Sequence, residues 1–456
     1  MAARIRRKRQ TRLPRSLKRV NLHAAGIDIG SRFHVVAVPP GSSPDGTDVE
    51  SFDAFTPSLE ALANWLEQCG VDTVAMESTG VYWIPLYELL EARGFQVLLV
   101  DTRQIKFVPG RKTDFLDCQW IQELHTFGLL RGAFRPAEEI CTLRAYVRQR
   151  AMLIREGSKH IQHMQKALEQ MNIKLAEVLR EVTGRTGMAI INAILRGERD
   201  AHRLAELRHG RCKNSQATIA KALEGNWREE HLFQLQQAVD LWRYYQSKLA
   251  ECDARIEQLL GEQFDSPDCE LAGGSHRRLP KRRNELHFDG RAALRQLAGV
   301  DLTAIEGIDE LTALTIISEV GTDMSRWDTS KRFSSWLALC PGNNKTGGRN
   351  RSGRNRRSAN RAAQALRIAA QTLWRSSSAL GAFLRRKAAH RGKGVAIKAT
   401  ANKLAHLVYS MLKYGTEYVA KTQEYYEQQY RERRLANLKR HARQLGLALV
   451  EAPAPA

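Results

Sequence analysis

The sequence lacks any apolar run of the roughly 18 residues that a membrane-spanning helix requires. Its seven cysteines are scattered, with no CxxC pair and no spacing typical of zinc ligands, so neither a disulfide framework nor a zinc site is predicted. Residues 1–19 are rich in Arg and Lys but have no apolar segment, which excludes a secretory signal and leaves a transit peptide as the weaker alternative. These absences predict a cytoplasmic protein with reduced thiols and no membrane partner.

Acidic residues are also in short supply. The 456 residues include 71 Lys and Arg against 49 Asp and Glu, which gives a formal net charge of +22. Hydrophobic residues make up 43% of the chain, enough to bury large cores and to exclude a wholly disordered protein. At about 150 residues per domain, the length allows about three domains. The positive excess favours a polyanionic partner, and nucleic acid is the usual one.

Strand-like and helix-like segments alternate in residues 22–135, after a basic arm at 1–21. Their order, βββαβαβα, predicts a mixed sheet with helices and favours an α/β nuclease-like fold over a helical one. Strands are expected at 24–30, 34–38, 49–55, 71–78 and 95–101. One helix is expected at 57–70, a second from the end of the fourth strand to about Arg93, and a third from Thr113, with Leu116, Trp120 and Leu124 on one stripe.

The remaining chain is predicted to be mainly helical. In residues 136–264, apolar side chains recur every seven residues from Val147 to Leu175 and at alternating spacings of three and four from Leu235 to Leu259. This periodicity indicates a coiled coil, either between chains or as a hairpin folded on its own chain. A basic linker (265–290), a compact helical domain (291–425) and a basic tail (426–456) complete the expected organisation.

Four acids stand out in the predicted α/β domain. Asp28 lies in the first strand, within GIDIG, and Glu77 ends the fourth strand, within AMESTG. Asp114 and Asp117 lie in KTDFLD at a helix start, and their spacing of three residues places both on one helix face. Neighbouring strand ends and a covering helix can bring four such side chains into one cleft. A single strand Asp is more often a surface acid, and Asp114 could simply favour a helix N-terminus.

Carboxylates a few ångströms apart raise one another's pKa values, so such a cluster needs cations to stay ionised. Oxygen ligands suit Mg²⁺ or Mn²⁺, and two such ions about 4 Å apart can hold a scissile phosphate between an attacking and a leaving oxygen. The four acids therefore predict a nuclease-type site with two divalent cations.

Two C-terminal segments suggest contacts with nucleic acid. Residues 301–321 have the pattern of helix, Gly-Ile-Asp turn and helix, in which Gly307 permits a left-handed backbone and the next helix offers amides to a phosphate. This pattern is similar to a helix–hairpin–helix, although ordinary helix–glycine–helix turns are common.

The second segment, 340–361, combines glycines, cations and hydroxyls without an acid from Asn343 onwards. Glycines let backbone amides approach a phosphate, and Arg side chains bind its oxygens bidentately. The hydroxyls of Thr346, Ser352 and Ser358 lie among cations that would stabilise an alkoxide. A basic loop that only coats nucleic acid is the alternative. The predicted nucleic-acid contacts are Lys112, Gly307, Lys345, Gly347, Gly348, Arg349, Arg351, Arg354, Arg356, Arg357 and Arg361.

Five motifs occur in an order typical of one known family: GIDIGSRFH, AMESTGVYW, GRKTDFLDC, IEGIDELTALTIISEVG and LCPGNNKTGG. In these motifs the chain resembles the insertion sequence one-ten family of transposases, the Piv/MooV-like DEDD recombinases. The segment from RIAAQTLWRSSSALG to LKYGTEYV is similar to the eleven-eleven branch of that family. The resemblance covers about residues 22–130 and 300–430.

The resemblance implies a RuvC-like, RNase H-type domain, a coiled coil and a C-terminal transposase domain, with the DEDD acids at Asp28, Glu77, Asp114 and Asp117. It also implies a homodimer or homotetramer, a noncoding bridge RNA that specifies donor and target DNA, and a location at the bacterial nucleoid. The protein would then contact mainly backbone and helix shape.

At one position the sequence departs from the family pattern. The family's C-terminal serine nucleophile, which joins covalently to DNA, corresponds here to Thr346 in KTGG. Threonine keeps a hydroxyl, but its extra methyl is stiffer and more crowded beside a phosphate. Three interpretations stay open: Thr346 is the nucleophile, Ser352 has taken over, or the element is inactive.

Two rival functions remain at this stage. A structure-specific endonuclease of the Holliday-junction type would use the four acids and water, without a covalent intermediate. A non-catalytic nucleic-acid-binding relic would show steep salt dependence but no strand transfer.

Overall fold

The computed structural model describes residues 17–101, 114–264, 284–341, 344–347, 349–352, 360–418 and 422–448. The chain divides into two compact units, 1–135 and 136–456. No helix in these ranges is long and apolar enough to cross a membrane.

A five-stranded mixed sheet forms the centre of the first unit. Its strands are β1 (Ala24–Ile29), β2 (Phe33–Ala37), β3 (Val49–Asp53), β4 (Thr73–Glu77) and β5 (Gln96–Val100). They lie in the order β3-β2-β1-β4-β5, with β1 antiparallel to β2 and parallel to β4, and β5 parallel to β4. The predicted mixed α/β sheet is confirmed, and this order is consistent with an RNase H-like domain.

Two helices cover one face of this sheet. They are α1 (Thr56–Gln68), with Pro57 in its first turn, and α2 (Ile84–Ala92). Alternate strand residues such as Ile27 and Met76 point to this face, where they form a continuous core with Leu62 and Leu90. The apolar side chains on one face of the strands and on one face of each helix thus pack into a single core layer.

A third helix, α3 (Asp114–Thr126), packs on the opposite face. The expected stripe of Leu116, Trp120 and Leu124 was wrong at its first position, because Leu116 is 49% exposed. The buried face instead includes Ile121 and Gln122, and the Gln122 amide donates a 3.1 Å hydrogen bond to the carbonyl of Ala24. A polar side chain can occupy this core position because a strand carbonyl satisfies it.

His125, near the end of α3, makes the stability of this unit pH-dependent. Its ring lies 2.9 Å from the Thr73 hydroxyl, and burial lowers its pKa to about 4, although nearby Asp72 acts in the opposite direction. Between pH 6.5 and 4 the unfolded chain binds a proton that the folded imidazole does not, so the free energy of unfolding decreases as the pH falls. We expect a loss of about 2–3 kcal/mol between pH 7 and 4.5 from this group alone.

Urea unfolding of wild type and His125→Gln at the two pH values measures this contribution. Glutamine keeps a hydrogen bond to Thr73 but does not titrate, so the variant should lose less stability on acidification. His202→Gln, at an exposed histidine, is the matched control and should follow wild type. Equal pH dependence in all three proteins would contradict the prediction.

Two long helices, α4 (Glu138–Gln170) and α9 (Glu229–Phe264), pack antiparallel in the second unit. The buried guanidinium of Arg150 pairs with Asp253, and the ring of His160 stacks on Tyr245 at 5.3 Å. A Cβ at Gly157 would lie 3.2 Å from Tyr245, so the two helices approach closely there. The two helices form the hairpin within the chain that the periodicity allowed, except that Leu175, the last of the predicted heptad positions, lies beyond the end of α4.

Four short helices lie between the long ones and share a core with them. They are α5 (Leu175–Val178), α6 (Arg185–Leu195), α7 (Ala201–Glu206) and α8 (Gln216–Ala222). Met164 and Leu168 of α4 meet Leu235 of α9 and Ile190 of α6 in this core. Burial of these apolar side chains stabilises the end of the helical hairpin where α4 ends and α9 begins.

The C-terminal part contains α10 (Gly290–Ala298), α11 (Glu310–Val320), α12 (Ser330–Trp336), α13 (Arg361–Thr372), α14 (Ala379–Arg391), α15 (Lys393–Tyr414) and α16 (Gln423–Gln444), with two strands β6 (Asn344–Thr346) and β7 (Arg349–Ser352). The helix expected from residue 301 is only a 3₁₀ turn at Leu302–Ala304. The segment expected as a tail from 426 is helical as far as Gln444.

Candidate functional site

The strand register places Asp28 and Glu77 side by side. Ile27 pairs with Met76 across the parallel strands β1 and β4, and Asp28 and Glu77 are the next residues along each strand. Adjacent residues in register project from the same face of a sheet. Both carboxylates are half-buried, at the carboxyl end of their strands.

Helix α3 crosses this face in the direction opposite to β1. Its last turn accepts hydrogen bonds from the amides of Val20 and Asn21, and Gln122 reaches Ala24. One turn earlier, the backbone at Cys118 lies against Gly26. The first turn of α3, which carries Asp114 and Asp117, therefore lies toward the end of β1 that carries Asp28.

The pKa of the Cys118 thiol is affected by two of the predicted acids. Burial, together with the negative charges of Asp28 and Asp117, raises the pKa of Cys118 to about 12. Two of the four predicted acids are thus close enough to act on the same buried group, and the thiol stays protonated. Asp117 itself is half-buried.

The side chain of Asp114 lies outside the described residues, so only its backbone position at the start of α3 is known. Among the described side chains, no group of three or more His, Cys, Asp or Glu residues is arranged to hold a metal ion. The structure brings the backbones of the four acid positions to one end of the sheet without grouping the described carboxylates as ligands.

Sequence reasoning missed a further acid at the same edge. Asp101 immediately follows β5, and Val100 at the end of β5 pairs with Glu77. The half-buried Asp101 is therefore at the carboxyl end of the third consecutive parallel strand. The signal was present in the sequence, because an acid directly after a buried apolar strand is placed in the same way as Glu77.

Gly26 is what allows α3 to approach the sheet. A Cβ at this residue would lie 2.2 Å from the amide nitrogen of Gln122 and 2.5 Å from the carbonyl oxygen of Cys118. Both are backbone atoms, so relief requires the helix to move. We expect Gly26→Ala to destabilise the first unit by about 1–3 kcal/mol or more, as overpacking does, and to reduce transposition.

Thermal unfolding of the full chain and an in-cell transposition assay measure the two effects. Gly210→Ala is the matched control, because a Cβ at Gly210 would meet nothing within 4 Å. A Gly26→Ala protein as stable and as active as the control would show that α3 does not need this close approach.

The predicted basic loop contains a β-hairpin. Thr346 of β6 pairs with Arg349 of β7, and Gly347 follows Thr346 with a φ of +57°. A Gly-Gly pair between two strands is a recognised signal for a hairpin turn, and sequence reasoning missed it here. Thr346 therefore borders the turn, whereas Ser352 lies at the other end of the hairpin, paired with Asn344.

The structure describes the side chains of some predicted nucleic-acid-binding residues, only the backbone of others, and nothing of the rest. Arg361 is exposed at the start of α13, which the side chain of Asn360 caps. Positions outside the described residues are Lys112, Gly348, Arg354, Arg356 and Arg357, and only the backbone is described at Lys345, Thr346, Arg349, Arg351 and Ser352.

Gly307 has a packing role in the structure. Its φ is +89°, and a Cβ there would lie 2.8 Å from the carbonyl oxygen of Ala369 in α13. The following helix, α11, begins at a cap in which the Asp309 side chain accepts from the Thr312 amide. Because an acid already occupies this N-terminus, the geometry does not favour a phosphate there, and contact with nucleic acid stays a prediction.

Comparison with known protein families gives two matches. A family model for DEDD transposases of the IS110 type, described as "Transposase", matches residues 25–173. A second model, described as "Transposase IS116/IS110/IS902 family", matches residues 299–385. No individually curated protein sequence matches the chain.

Proposed function

Because the chain belongs to the IS110 family of transposases, we propose that its first unit is a RuvC-like domain whose acids cut DNA with the help of divalent cations. The strongest support is the parallel register that places Asp28 beside Glu77, with the first turn of α3 at the same end of the sheet. The chain is a DNA transposase, and this site gives it a cleavage chemistry.

Asp28, Glu77, Asp114 and Asp117 would hold the cations, Mg²⁺ or Mn²⁺, with two at each site. The donor set fits such ions, since all four side chains offer hard oxygen ligands. When bound, the cations would stabilise negative charge on the scissile phosphate and its attacking and leaving oxygens. Half-burial of Asp28, Glu77 and Asp117 limits water around the phosphate and strengthens these interactions.

The cutting step would use a hydroxyl from the C-terminal hairpin. The Thr346 oxygen would form a bond to phosphorus as the bond from phosphorus to the deoxyribose leaving oxygen breaks, and the hydroxyl proton would pass to a base or to water. Attack by the freed sugar hydroxyl of another strand then reverses the covalent link and rejoins DNA. Ser352 is the alternative donor of the hydroxyl.

The hairpin supports Thr346 over Ser352. Thr346 borders the tight turn at Gly347, where the backbone can approach a phosphate without obstruction from a side chain. The chain places Lys345 and Arg349 directly before and after the Thr346–Gly–Gly segment. Cations at these positions would stabilise the charge that develops on the attacked phosphate.

A noncoding bridge RNA and an oligomer complete the proposal. Base pairing by the RNA would select donor and target DNA, while the protein would contact helix shape and phosphates. A homodimer or homotetramer would let the acids of one subunit act with the hairpin of another. The proposed domain limits are 22–135 for the RuvC-like domain, 136–264 for the helical domain and 291–425 for the transposase domain.

Trapping of covalent protein–DNA adducts after denaturation tests the cleavage chemistry. The proposal predicts an adduct with DNA carrying the element's ends, the bridge RNA and Mg²⁺, and none in EDTA. Metal-dependent cutting without any adduct would instead indicate the Holliday-junction type of endonuclease. Binding without cutting would indicate a non-catalytic relic.

A further inference from the structure

The second unit contains a long stretch without negative charge. No Asp or Glu occurs between Asp328 and Glu417, and these 88 residues contain 19 Lys and Arg. Helices α13, α14 and α15 all lie in this stretch, and α15 packs against both of the others. Their cations therefore have no carboxylate within these helices to pair with, and a strong positive potential results.

The cations of this region depress one another's proton affinity. Partial desolvation and the charge of Arg433 lower the pKa of Lys403, while burial and the charges of Lys331 and Lys403 lower the pKa of His406. Like charges held this close cost free energy unless an anion joins them. These cations on α12, α15 and α16 form an arrangement that a polyanion would stabilise.

Cations and aromatic rings alternate in a ladder that attaches α16 to α14 and α15. The Lys403 ammonium lies 4.4 Å from the centre of the Phe383 ring, which meets Tyr426 edge-on at 6.2 Å. The Arg386 guanidinium lies 3.8 Å from the centre of the Tyr430 ring, and Arg434 lies 6.0 Å from the same ring. Cation–π contacts of this kind fix the position of α16. Each of these rings thus already has a cation beside it.

The half of α16 that follows Tyr430 is exposed to solvent. Residues 431–441 are all exposed, and after Glu432 the helix carries only positive charges. Its cations on this half are Arg433, Arg434, Lys439, Arg440 and Arg443. Leu435 and Leu438 are also exposed on this half, but its excess of positive charge favours a negatively charged partner.

We propose that this half of α16, with the neighbouring cations Arg386 and Lys403, binds the phosphate backbone of duplex DNA by lying in the major groove. The major groove of B-form DNA admits an α-helix, whereas the deep, narrow major groove of an RNA duplex does not. This DNA-binding surface is separate from the hairpin at Thr346 and from the four acids. It would hold duplex DNA without reading its sequence.

Salt titration of binding measures the number of phosphate contacts. The full chain binds a fluorescent 30-base-pair DNA duplex of arbitrary sequence in EDTA, and log K is followed against log[KCl]. Each lost phosphate contact should reduce the magnitude of the slope by about 0.9, so Arg433→Gln/Arg434→Gln should reduce it by about 2. The charge-retaining Arg433→Lys/Arg434→Lys protein should keep most of the wild-type slope.

A matched control removes two cations that already have acidic partners. Lys174 pairs with Glu169, and Lys248 lies 2.8 Å from Glu251, both on the surface of the helical unit. Lys174→Gln/Lys248→Gln should leave the slope within error of wild type. An unchanged slope in the α16 glutamine variant, or a fall equal to that of the control, would overturn the proposal.

The same titration with a 30-base-pair RNA duplex separates the two nucleic acids. A smaller slope change with RNA than with DNA supports groove binding of DNA, and an equal or larger change with RNA overturns the assignment. The titration is run in EDTA, so it does not depend on metal-assisted cleavage at the four acids. Failure of the cleavage proposal would therefore leave this measurement unaffected.

Discussion

Asp28→Asn or Glu77→Gln is expected to reduce transposition by at least about 1,000-fold. Either change removes a carboxylate oxygen of the proposed metal site, at the point where β1 and β4 place residues 28 and 77 next to each other. Metal-assisted catalysis contributes several kcal/mol of transition-state stabilisation, and each loss of about 1.4 kcal/mol reduces the rate tenfold. A plasmid-to-plasmid transposition assay in cells, with protein levels checked by immunoblot, measures the effect.

The control for these variants is Asp72→Asn. Asp72 is an exposed acid at the opposite end of β4, next to Thr73, so its removal changes the charge of the unit by the same amount. It should keep transposition within a few-fold of wild type, and all three proteins should retain DNA binding in EDTA. Wild-type transposition by Glu77→Gln would refute the role of this carboxylate at the site.

Thr346→Ala is expected to abolish the covalent protein–DNA adduct. The substitution removes the only side-chain oxygen at the residue that borders the hairpin turn, so no bond to phosphorus can form there. The β-branched side chain of threonine is restricted at χ1, and its methyl would crowd a phosphate under attack. Thr346→Ser should therefore keep the adduct and form it at least as fast as wild type. Denaturing gels with end-labelled DNA, followed by peptide mapping of the adduct, give the result and its position.

The comparison variant for this prediction is Ser352→Ala, six residues further along the chain. It removes a hydroxyl from the same hairpin but from the end that pairs with Asn344. It should form the adduct at a rate close to that of wild type. Loss of the adduct in Ser352→Ala, with its persistence in Thr346→Ala, would transfer the nucleophile to Ser352.

The first unit could be predicted from the sequence in most of its elements. Alternation of apolar residues gave the strands, and helix spacing with Pro57 and Gly70 gave the bounds of α1. The face of α3 could not be read from apolar residues alone. Gln122 and His125 face the sheet because backbone and hydroxyl partners satisfy them, and these partners come from segments distant in sequence.

The helical unit shows a different limit of sequence reasoning. A heptad pattern specifies that a helix has an apolar seam, but it does not specify which chain supplies the facing seam. The pairing of Arg150 with Asp253 and the close approach at Gly157 identify the facing helix as α9 of the same chain. Whether subunits also associate through this unit stays a prediction.

Some residues of the proposed site could be placed from the sequence, and others could not. Strand ends and helix starts located Asp28, Glu77 and Asp117, because their positions depend on local structure. The β-hairpin at Thr346 was missed, because its cations suggested an irregular loop although Gly347 signals a turn. Asp101 was also missed, since its place beside Glu77 becomes visible only through the register of β4 and β5.

The most direct test of the proposed chemistry is to locate manganese in a crystal of the full chain grown with MnCl₂. Anomalous scattering at the manganese edge shows the ions independently of any activity. The proposed site predicts strong peaks within about 2.0–2.6 Å of carboxylate oxygens from Asp28, Glu77, Asp114 and Asp117, the range of such metal–oxygen bonds. The proposal would be contradicted if manganese bound at full occupancy elsewhere in the crystal but not at this site. It would also be contradicted if the four carboxylates stayed apart in the presence of manganese.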